Sequence, residues 1–298
     1  MSDADSLLAQ ALAAFNAGNL RTAADRFERA ATTLAAARPA DAVLALESAA
    51  RVRLMLDQPR HAALAAAKAK ALHPDSARVA RIAAEVADHG GDLESRRAAW
   101  QQVTERGHGD EKRAAHVRLA YLSREAGDPA AAVGEFEAAL ALANDDASRA
   151  ELQMEVAITR TITGDHAGAM AMLDAVRSDD HVARVTGQRG VIALAQGDTA
   201  KALALAEQAR GEAVQRNDVM TYLGSASLIA MIHESGGQLV EAYDTYIRAR
   251  ESLADLLGDE GRALVQPAIT LFEERLGPAK FAEVWNAWVA MRRAARSR

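Results

Sequence analysis

The sequence predicts an all-α protein, and three observations favour this class. Alanine, the residue with the highest helix propensity, makes up about a quarter of the 298 residues. The chain has only six prolines and 4% aromatic residues, and runs of β-branched residues are few. Short turns containing glycine or aspartate recur along the chain. At 298 residues one compact core would be near its usual upper size limit, so an array of stacked helices or two domains is expected.

Seven short turns divide the chain into repeats of 33 to 40 residues. They begin at Gly18, Asp57, Gly91, Gly127, Gly164, Gly197 and Gly237. A glycine at this point supplies the positive φ that ends the first helix, and Asp, Asn or Pro after it starts the second. This spacing predicts one helical hairpin at each turn.

Small residues flank every turn at fixed distances. Five residues after the turn begins, six of the seven repeats have alanine, and the third has Arg96. The position seven residues before the turn is alanine or glycine in all seven repeats: Ala11, Ala50, Ala84, Ala120, Ala157, Gly190 and Ala230. Nine residues after the turn begins there is often a bulky residue, such as Phe27, Trp100 or Phe136. The pattern predicts paired helices that touch at small side chains, with the bulky residue filling the gap to the next hairpin.

These turns and spacings resemble the tetratricopeptide repeat (TPR) family. The resemblance is carried by GNLRTAADRF (18–27), GDPAAAVGEF (127–136) and GQLVEAYDTY (237–246). It implies a right-handed α-solenoid of about seven TPR-like hairpins over residues 1–258, in which the first helices line a concave partner-binding face. Residues 259–298 are expected to form C-terminal capping helices or a degenerate eighth repeat, with a break at Gly277–Pro278.

The C-terminal segment contains one aromatic stripe. Phe281, Trp285 and Trp288 are spaced at i, i+4 and i+7, so they share one face of a helix. An atypical element must cover the end of a solenoid, and this favours a cap. The alternative is a docking surface for another protein or for a second copy of the chain.

The family register places several cationic residues on the concave face. The candidate groove residues are Arg51, Arg78, Arg81, Arg118, Tyr121, Arg124 and Arg184. Arginine pairs bidentately with carboxylates, so such a groove would suit a partner with an acidic or carboxylate-bearing segment. The alternative is a solvated face with intrahelical pairs such as Arg81 with Glu85, and we favour it for these residues.

No motif in the sequence supports catalysis, metal binding or a cofactor. The chain has no cysteine, no phosphate-binding loop, no nucleophile elbow and no pair of histidines at metal-ligand spacing. A net charge of −6 argues against nucleic-acid binding. The sequence shows neither a membrane span nor a secretory signal, so a cytoplasmic protein is expected. Thirty arginines against five lysines suggest a GC-rich, bacterial coding sequence.

The sequence therefore predicts a non-enzymatic scaffold or adaptor that binds a partner segment in the groove of a TPR-like solenoid. The alternative is a ligand-sensing or regulatory subunit that acts on a separately encoded transcriptional or signalling protein.

Overall fold

The computed structural model describes residues 3–296, and these residues form helices joined by short turns, without a strand. The chain divides into two units between Asp145 and Asp146. The helices of unit 1 are α1 (Asp3–Asn16), α2 (Leu20–Leu34), α3 (Pro39–Met55), α4 (Pro59–Leu72), α5 (Ala77–Asp88), α6 (Leu93–Arg106), α7 (Gly109–Glu125) and α8 (Pro129–Ala141). The helices of unit 2 are α9 (Asp146–Ile162), α10 (His166–Ala175), α11 (Val182–Ala195), α12 (Thr199–Arg216), α13 (Val219–Ser235), α14 (Leu239–Leu257) and α15 (Asp259–Arg296), with a 3-10 turn at Asp179–His181 before α11.

Each predicted turn joins two neighbouring helices that pack as a hairpin. Five of the turn glycines have the predicted positive φ, between 74° and 81°, and Asp57 has φ 54°. Gly91 is the exception. There the backbone N–H donates to the carbonyl of Ala87 at 2.7 Å, and an added Cβ would lie 2.8 Å from that oxygen. Glycine is needed at Gly91 for this close approach rather than for a left-handed conformation.

The small residues lie at the helix contacts, as predicted. All six second-helix alanines have no exposed surface: Ala23, Ala62, Ala132, Ala169, Ala202 and Ala242. The first-helix positions, from Ala11 to Ala230, are also buried. The prediction of an all-α solenoid built from stacked hairpins is thereby confirmed within each unit.

In the third repeat Arg96 occupies the position of the small residue, and its side chain forms a polar cluster. Its guanidinium donates to both carboxylate oxygens of Glu125, at 2.7 and 2.9 Å, and to Asp88 at 3.3 Å. Asp88 also accepts hydrogen bonds from Trp100 Nε1 at 3.0 Å and Arg118 Nε at 2.7 Å. Hairpin three is therefore joined by charge-assisted hydrogen bonds at the position where the others use an alanine contact.

Helix α15 consists of two arms, because Gly277 has φ 71° and ψ 164° inside it. The break lies at the predicted position. Ile269 and Phe272 of the first arm are buried in one core with Tyr243 and Tyr246 of α14. Helix α14 ends at Leu257 and is followed by Gly258. The division into a repeat array over residues 1–258 and a cap over residues 259–298 stays a prediction. Residues 1–2 and 297–298 lie outside the described part of the chain.

Candidate functional site

In unit 1, α3 contacts α5, and ion pairs join α5 to α7; in unit 2, α11 contacts both α9 and α13. We call the side on which α3, α5 and α7 carry their polar residues the unit 1 face, and the corresponding side of α9, α11 and α13 the unit 2 face. Most of the sequence-predicted groove residues lie on the unit 1 face, and Arg184 lies on the unit 2 face.

A buried glutamate organises the unit 1 face. Glu47 of α3 is only 3% exposed, and its carboxylate accepts hydrogen bonds from Arg78 Nη1 at 2.6 Å and from Arg81 Nη2. Arg51 Nη1 lies 3.0 Å from the same carboxylate. A buried carboxylate is tolerated only when cations and hydrogen bonds compensate its lost hydration. Three of the predicted groove arginines therefore meet at one acidic side chain of their own chain.

Glu85 extends this network along α5. Arg51 donates to both of its carboxylate oxygens, at 2.9 and 3.0 Å, and Arg81 donates at 3.1 Å. Hydrogen bonding to Glu85 raises the pKa of Arg51, although partial burial opposes the shift. Arg81 Nε also lies 3.4 Å from Glu111 of α7. These arginines are partnered by carboxylates across three helices.

The remaining predicted groove residues of unit 1 lie on α7. Arg118 donates to Asp88 at 2.7 Å. The ring of Tyr121 meets Phe136 edge to face, with 5.3 Å between centroids, and the Arg124 guanidinium lies 5.8 Å from the Tyr121 ring centroid. The structure thus holds Tyr121 and Arg124 together as a cation–π pair. Binding of an acidic partner by this face stays a prediction.

Arg184 belongs to a second charged group, on the unit 2 face. Glu151 accepts hydrogen bonds from Arg184 Nη1 at 2.6 Å and from His181 Nε2 at 2.8 Å. Burial by itself would raise the pKa of Glu151, but the hydrogen bonds from Arg184 and His181 outweigh it, so the pKa lies below its ordinary value. His181 is oriented by a hydrogen bond of 2.9 Å between its Nδ1 and Ser178 Oγ.

A cavity of about 570 Å³, which we call the α11–α13 cavity, opens beside this group. Its ionisable lining residues are Glu151, Asp180, His181, Arg184 and Asp218. Its other lining residues are Gly187, Gln188 and Val191 from α11, with Met220, Thr221, Gly224, Ser225 and Leu228 from α13.

Local sequence explains how the wall formed by α13 is positioned. Asn217 adopts φ 54° and ends α12, which reverses the chain. Asp218 then caps α13, because its Oδ1 accepts the backbone N–H of Thr221 at 3.0 Å. Met220 and Gly224 follow on one side of the first turns of this helix.

Two glycines lie in the helix interiors that line the cavity. A Cβ added at Gly224 would meet no heavy atom within 4 Å, whereas one at Gly187 would be in contact with Ala209 Cβ at 3.6 Å and Ser225 Oγ at 3.9 Å. Ser225 is 3% exposed, and its hydroxyl has no hydrogen-bond partner among residues 3–296. Buried hydroxyls are normally paired, so this oxygen is the most unusual polar atom of the cavity wall.

A second cavity of about 540 Å³, the α13–α15 cavity, lies further along α13. It is lined by Met231, Tyr246 and Leu271, and an ion pair of 2.7 Å between Arg275 and Glu234 closes one side. Both cavities share one face of α13, which we call the α13 stripe: Met220, Gly224, Ser227 and Met231. Met220 is 68% exposed and Met231 is 52% exposed. The stripe carries no charge between Asp218 and Glu234.

The predicted aromatic stripe packs against α14. Trp288 Nε1 donates to Asp244 Oδ1 at 2.9 Å, and Phe281 meets Tyr243 with 5.4 Å between ring centroids. Trp285 also contacts Tyr243, at 6.0 Å, but is 44% exposed. These contacts hold the stripe against α14, and both the capping role of the segment and a docking role for Trp285 stay predictions.

No known family profile and no curated protein matches this chain. Solved structures do match. A tetratricopeptide repeat protein from Parabacteroides merdae aligns with a TM-score of 0.59 and 14% identity, over 88% of this chain and 98% of that one. The chain has a TPR-like fold.

Two other structures extend this comparison. A signal transduction ATPase from Pyrococcus horikoshii, described as having a tetratricopeptide repeat sensor, aligns with a TM-score of 0.62 and 11% identity over 88% of this chain and 44% of that one. YrrB, described as a TPR protein with an unusual peptide-binding site, aligns with a TM-score of 0.51 and 17% identity over 64% of this chain and 94% of that one.

Sequence reasoning missed Gly187, Gly224 and Ser225 of this TPR-like chain. A signal was available, because glycine in a helix interior costs about 1 kcal/mol relative to alanine and therefore indicates a need for space. Both glycines lie within first helices, whereas the glycines used to define the repeats lie in turns. Their position on facing helices becomes visible only in the folded chain.

The described part of the TPR-like chain contains neither a candidate metal site nor a candidate membrane-spanning helix. Within residues 3–296, no three His, Asp or Glu side chains are arranged to hold a metal ion. None of the helices in the same range is both long and apolar enough to cross a membrane.

Proposed function

We propose that this chain is a non-enzymatic protein-interaction module, a scaffold or adaptor that holds a segment of another protein against its unit 2 face. The α13 stripe is the observation that carries the proposal. Met220 and Met231 are both more than half exposed and lie on one face of α13, each at the wall of a cavity. Acidic residues occur only at the two ends of this face, at Asp218 and Glu234. Methionine adapts to irregular apolar partners, and it is used heavily at such binding surfaces.

The scaffold beneath the stripe supports the same proposal. Ile229 and Ile232, on the side of α13 away from the stripe, are buried, so the helix is held by its own core. A surface that is ordered before binding loses little conformational entropy when a partner arrives. YrrB, which shares the fold, is described as having a peptide-binding site, and peptide binding is the activity proposed here.

The unit 1 face supports an acidic partner less well. An incoming carboxylate would compete with Glu47 and Glu85 for the N–H groups of Arg51, Arg78 and Arg81. Exchanging one carboxylate for another yields little net free energy. We therefore propose the unit 2 face as the principal site and keep the arginines as a separate prediction.

A random library of 12-residue peptides tests the proposal. The purified full chain is used for selection, and the selected peptides are titrated by fluorescence anisotropy against wild type, Met231→Glu and Met55→Glu. Met55 is a matched control, because it is 60% exposed at the end of α3 in unit 1. We expect Met231→Glu to weaken binding at least tenfold and Met55→Glu to leave it unchanged. If binding of none of the selected peptides depends on Met231, the proposal is contradicted.

A second candidate function is sensing of a small ligand by a subunit that regulates a separately encoded protein. It rests on the size of the α11–α13 cavity, about 570 Å³, which falls within the range of small-molecule sites. The test is a thermal-shift screen of metabolites with wild type and Gly224→Leu, since the leucine would fill the cavity. A shift that the variant loses supports sensing, and its persistence in the variant contradicts binding in this cavity.

A further inference from the structure

We propose that the α11–α13 cavity receives a basic side chain, arginine or lysine, from the partner segment. This inference rests on the proposed function, because it names the chemistry of the segment that lies on the α13 stripe. Three properties of the cavity support it: an excess of carboxylates, the hydroxyl of Ser225, and apolar lining residues beside the polar groups.

The first property is an excess of carboxylates. Glu151 is already paired with Arg184 and His181. Asp180 is exposed and Asp218 is half-buried, and neither has a cationic partner among residues 3–296. Among the described residues, the Asp218 carboxylate accepts the backbone N–H of Thr221 as the N-cap of α13. A cation entering the cavity therefore meets two carboxylates that lack a cationic partner, whereas an acidic side chain would be repelled by both.

The second property is the hydroxyl of Ser225. A serine inside a helix commonly bonds to a carbonyl of the preceding turn, but this oxygen has no partner and is buried. Ser225 is a lining residue of the cavity, so an N–H donor seated in the cavity would approach this oxygen from the solvent side. Guanidinium and ammonium groups carry several donors and no acceptor, and they match an unpaired oxygen of this kind.

The third property is the arrangement of apolar walls. Met220, Val191 and Leu228 line the cavity together with the polar groups. Arginine and lysine have long aliphatic stems that lie along apolar surface while their charged ends reach polar groups. The open space at Gly224 gives such a stem room along α13.

The peptides selected on the full chain provide the test. Each basic residue of a peptide that depends on Met231 is replaced in turn, arginine by citrulline and lysine by norleucine, and binding is measured by anisotropy. We expect one basic position to recur among the peptides and its replacement to weaken binding at least tenfold. Binding should also weaken as salt is raised, because the charges at the mouth of the cavity are screened.

A glycine pair supplies the matched protein variants. Gly224→Leu places a side chain in the cavity, and Gly211→Leu places the same side chain on α12, where a Cβ also meets nothing within 4 Å. We expect at least a tenfold loss for Gly224→Leu and none for Gly211→Leu. Asp180→Asn should reduce both the affinity and the salt dependence.

The outcomes separate the two proposals. Peptides that depend on Met231 but carry no recurring basic residue, or that bind Gly224→Leu normally, overturn the basic-anchor inference and leave the proposed function standing. An acidic residue recurring in place of a basic one also overturns the inference. Failure to select any peptide that depends on Met231 overturns the proposed function and the inference with it.

Discussion

The two first-helix faces of this chain differ in how they use charge. On the unit 1 face, Arg51, Arg78 and Arg81 surround the buried Glu47, and their charges are largely compensated within the chain. On the unit 2 face, charged groups border two cavities and an apolar stripe, and Asp180 and Asp218 have no cationic partner within the described residues. Both faces are built on hairpins of the same kind. The difference shows that the contacts within the hairpins do not determine which side chains the first helices present to solvent.

The largest expected effect comes from breaking the unit 1 network at its centre. Glu47→Gln would leave Arg78 and Arg81 close together without their shared carboxylate. The arginines left behind are partly exposed and Arg81 keeps Glu85 as a partner, so we expect a loss of about 2 kcal/mol in the free energy of unfolding, measured with urea, which is less than for a fully buried pair. Glu251→Gln is the control, because Glu251 pairs with Arg292 at the surface. It should cost less than about 1 kcal/mol. Equal losses in the two variants would contradict a structural role for the network.

The next effect contrasts a glycine at a helix contact with a glycine in the cavity. A Cβ at Gly190 would lie 3.2 Å from Leu228 Cδ2 and 3.3 Å from the carbonyl of Ala202, whereas one at Gly224 meets nothing within 4 Å. We expect Gly190→Ala to lower the free energy of unfolding by about 1 kcal/mol through overpacking. Gly224→Ala should raise it by about 0.5–1 kcal/mol through helix propensity. Urea denaturation measures both, and destabilisation by Gly224→Ala would show that the glycine serves packing.

A smaller effect concerns the pH dependence of the Glu151 group. Because the folded pKa of Glu151 is lowered, ionised Glu151 stabilises the fold above its unfolded pKa, near the ordinary value of 4.5. That contribution is lost as the pH falls through the folded pKa. Wild type should therefore exceed Glu151→Gln in stability at pH 7, by less than about 1 kcal/mol because the carboxylate is half-exposed. The difference should shrink in urea titrations as the pH falls below about 5. A constant difference would contradict the assignment.

The smallest expected effect tests the arginines of unit 1 as a binding groove. We expect a deca-glutamate peptide to bind wild type and the double variant Arg51→Ala/Arg78→Ala with the same weak affinity. The reason is that Glu47 and Glu85 already accept hydrogen bonds from these arginines. Isothermal titration at low salt measures this. A tenfold loss in the double variant would instead establish the groove for an acidic partner that the arginines of the concave face suggest.

Much of the fold was predictable because its determinants are local. The turns at Gly18 and Gly127 were predicted from glycine spacing, since few other residues adopt a positive φ without strain. The buried alanines were predicted because only small residues allow two helix backbones to approach. Arg96 was recognised as an exception, but its partner Glu125 lies 29 residues further along the chain and no local pattern indicated it.

The candidate site was predicted only in part. Arg184 was placed on the correct set of helices by repeat register, yet its pairing with Glu151 was not foreseen. The aromatic stripe was predicted from the spacing of Phe281, Trp285 and Trp288. Its partners Tyr243 and Asp244 became known only from the packing of α15 on α14.

The sequence by itself determined the all-α class, the seven hairpins and the residues at which helices touch. Helix propensity, turn geometry and the size of contact residues all act over a few residues, so each leaves a pattern in the chain. Only the tertiary structure decided which charges are compensated and where space remains. Glu47 meets Arg81, and Gly187 faces Ser225, across separations of more than thirty residues. Pairings over such distances are set by how helices stack, which no local pattern in the sequence specifies.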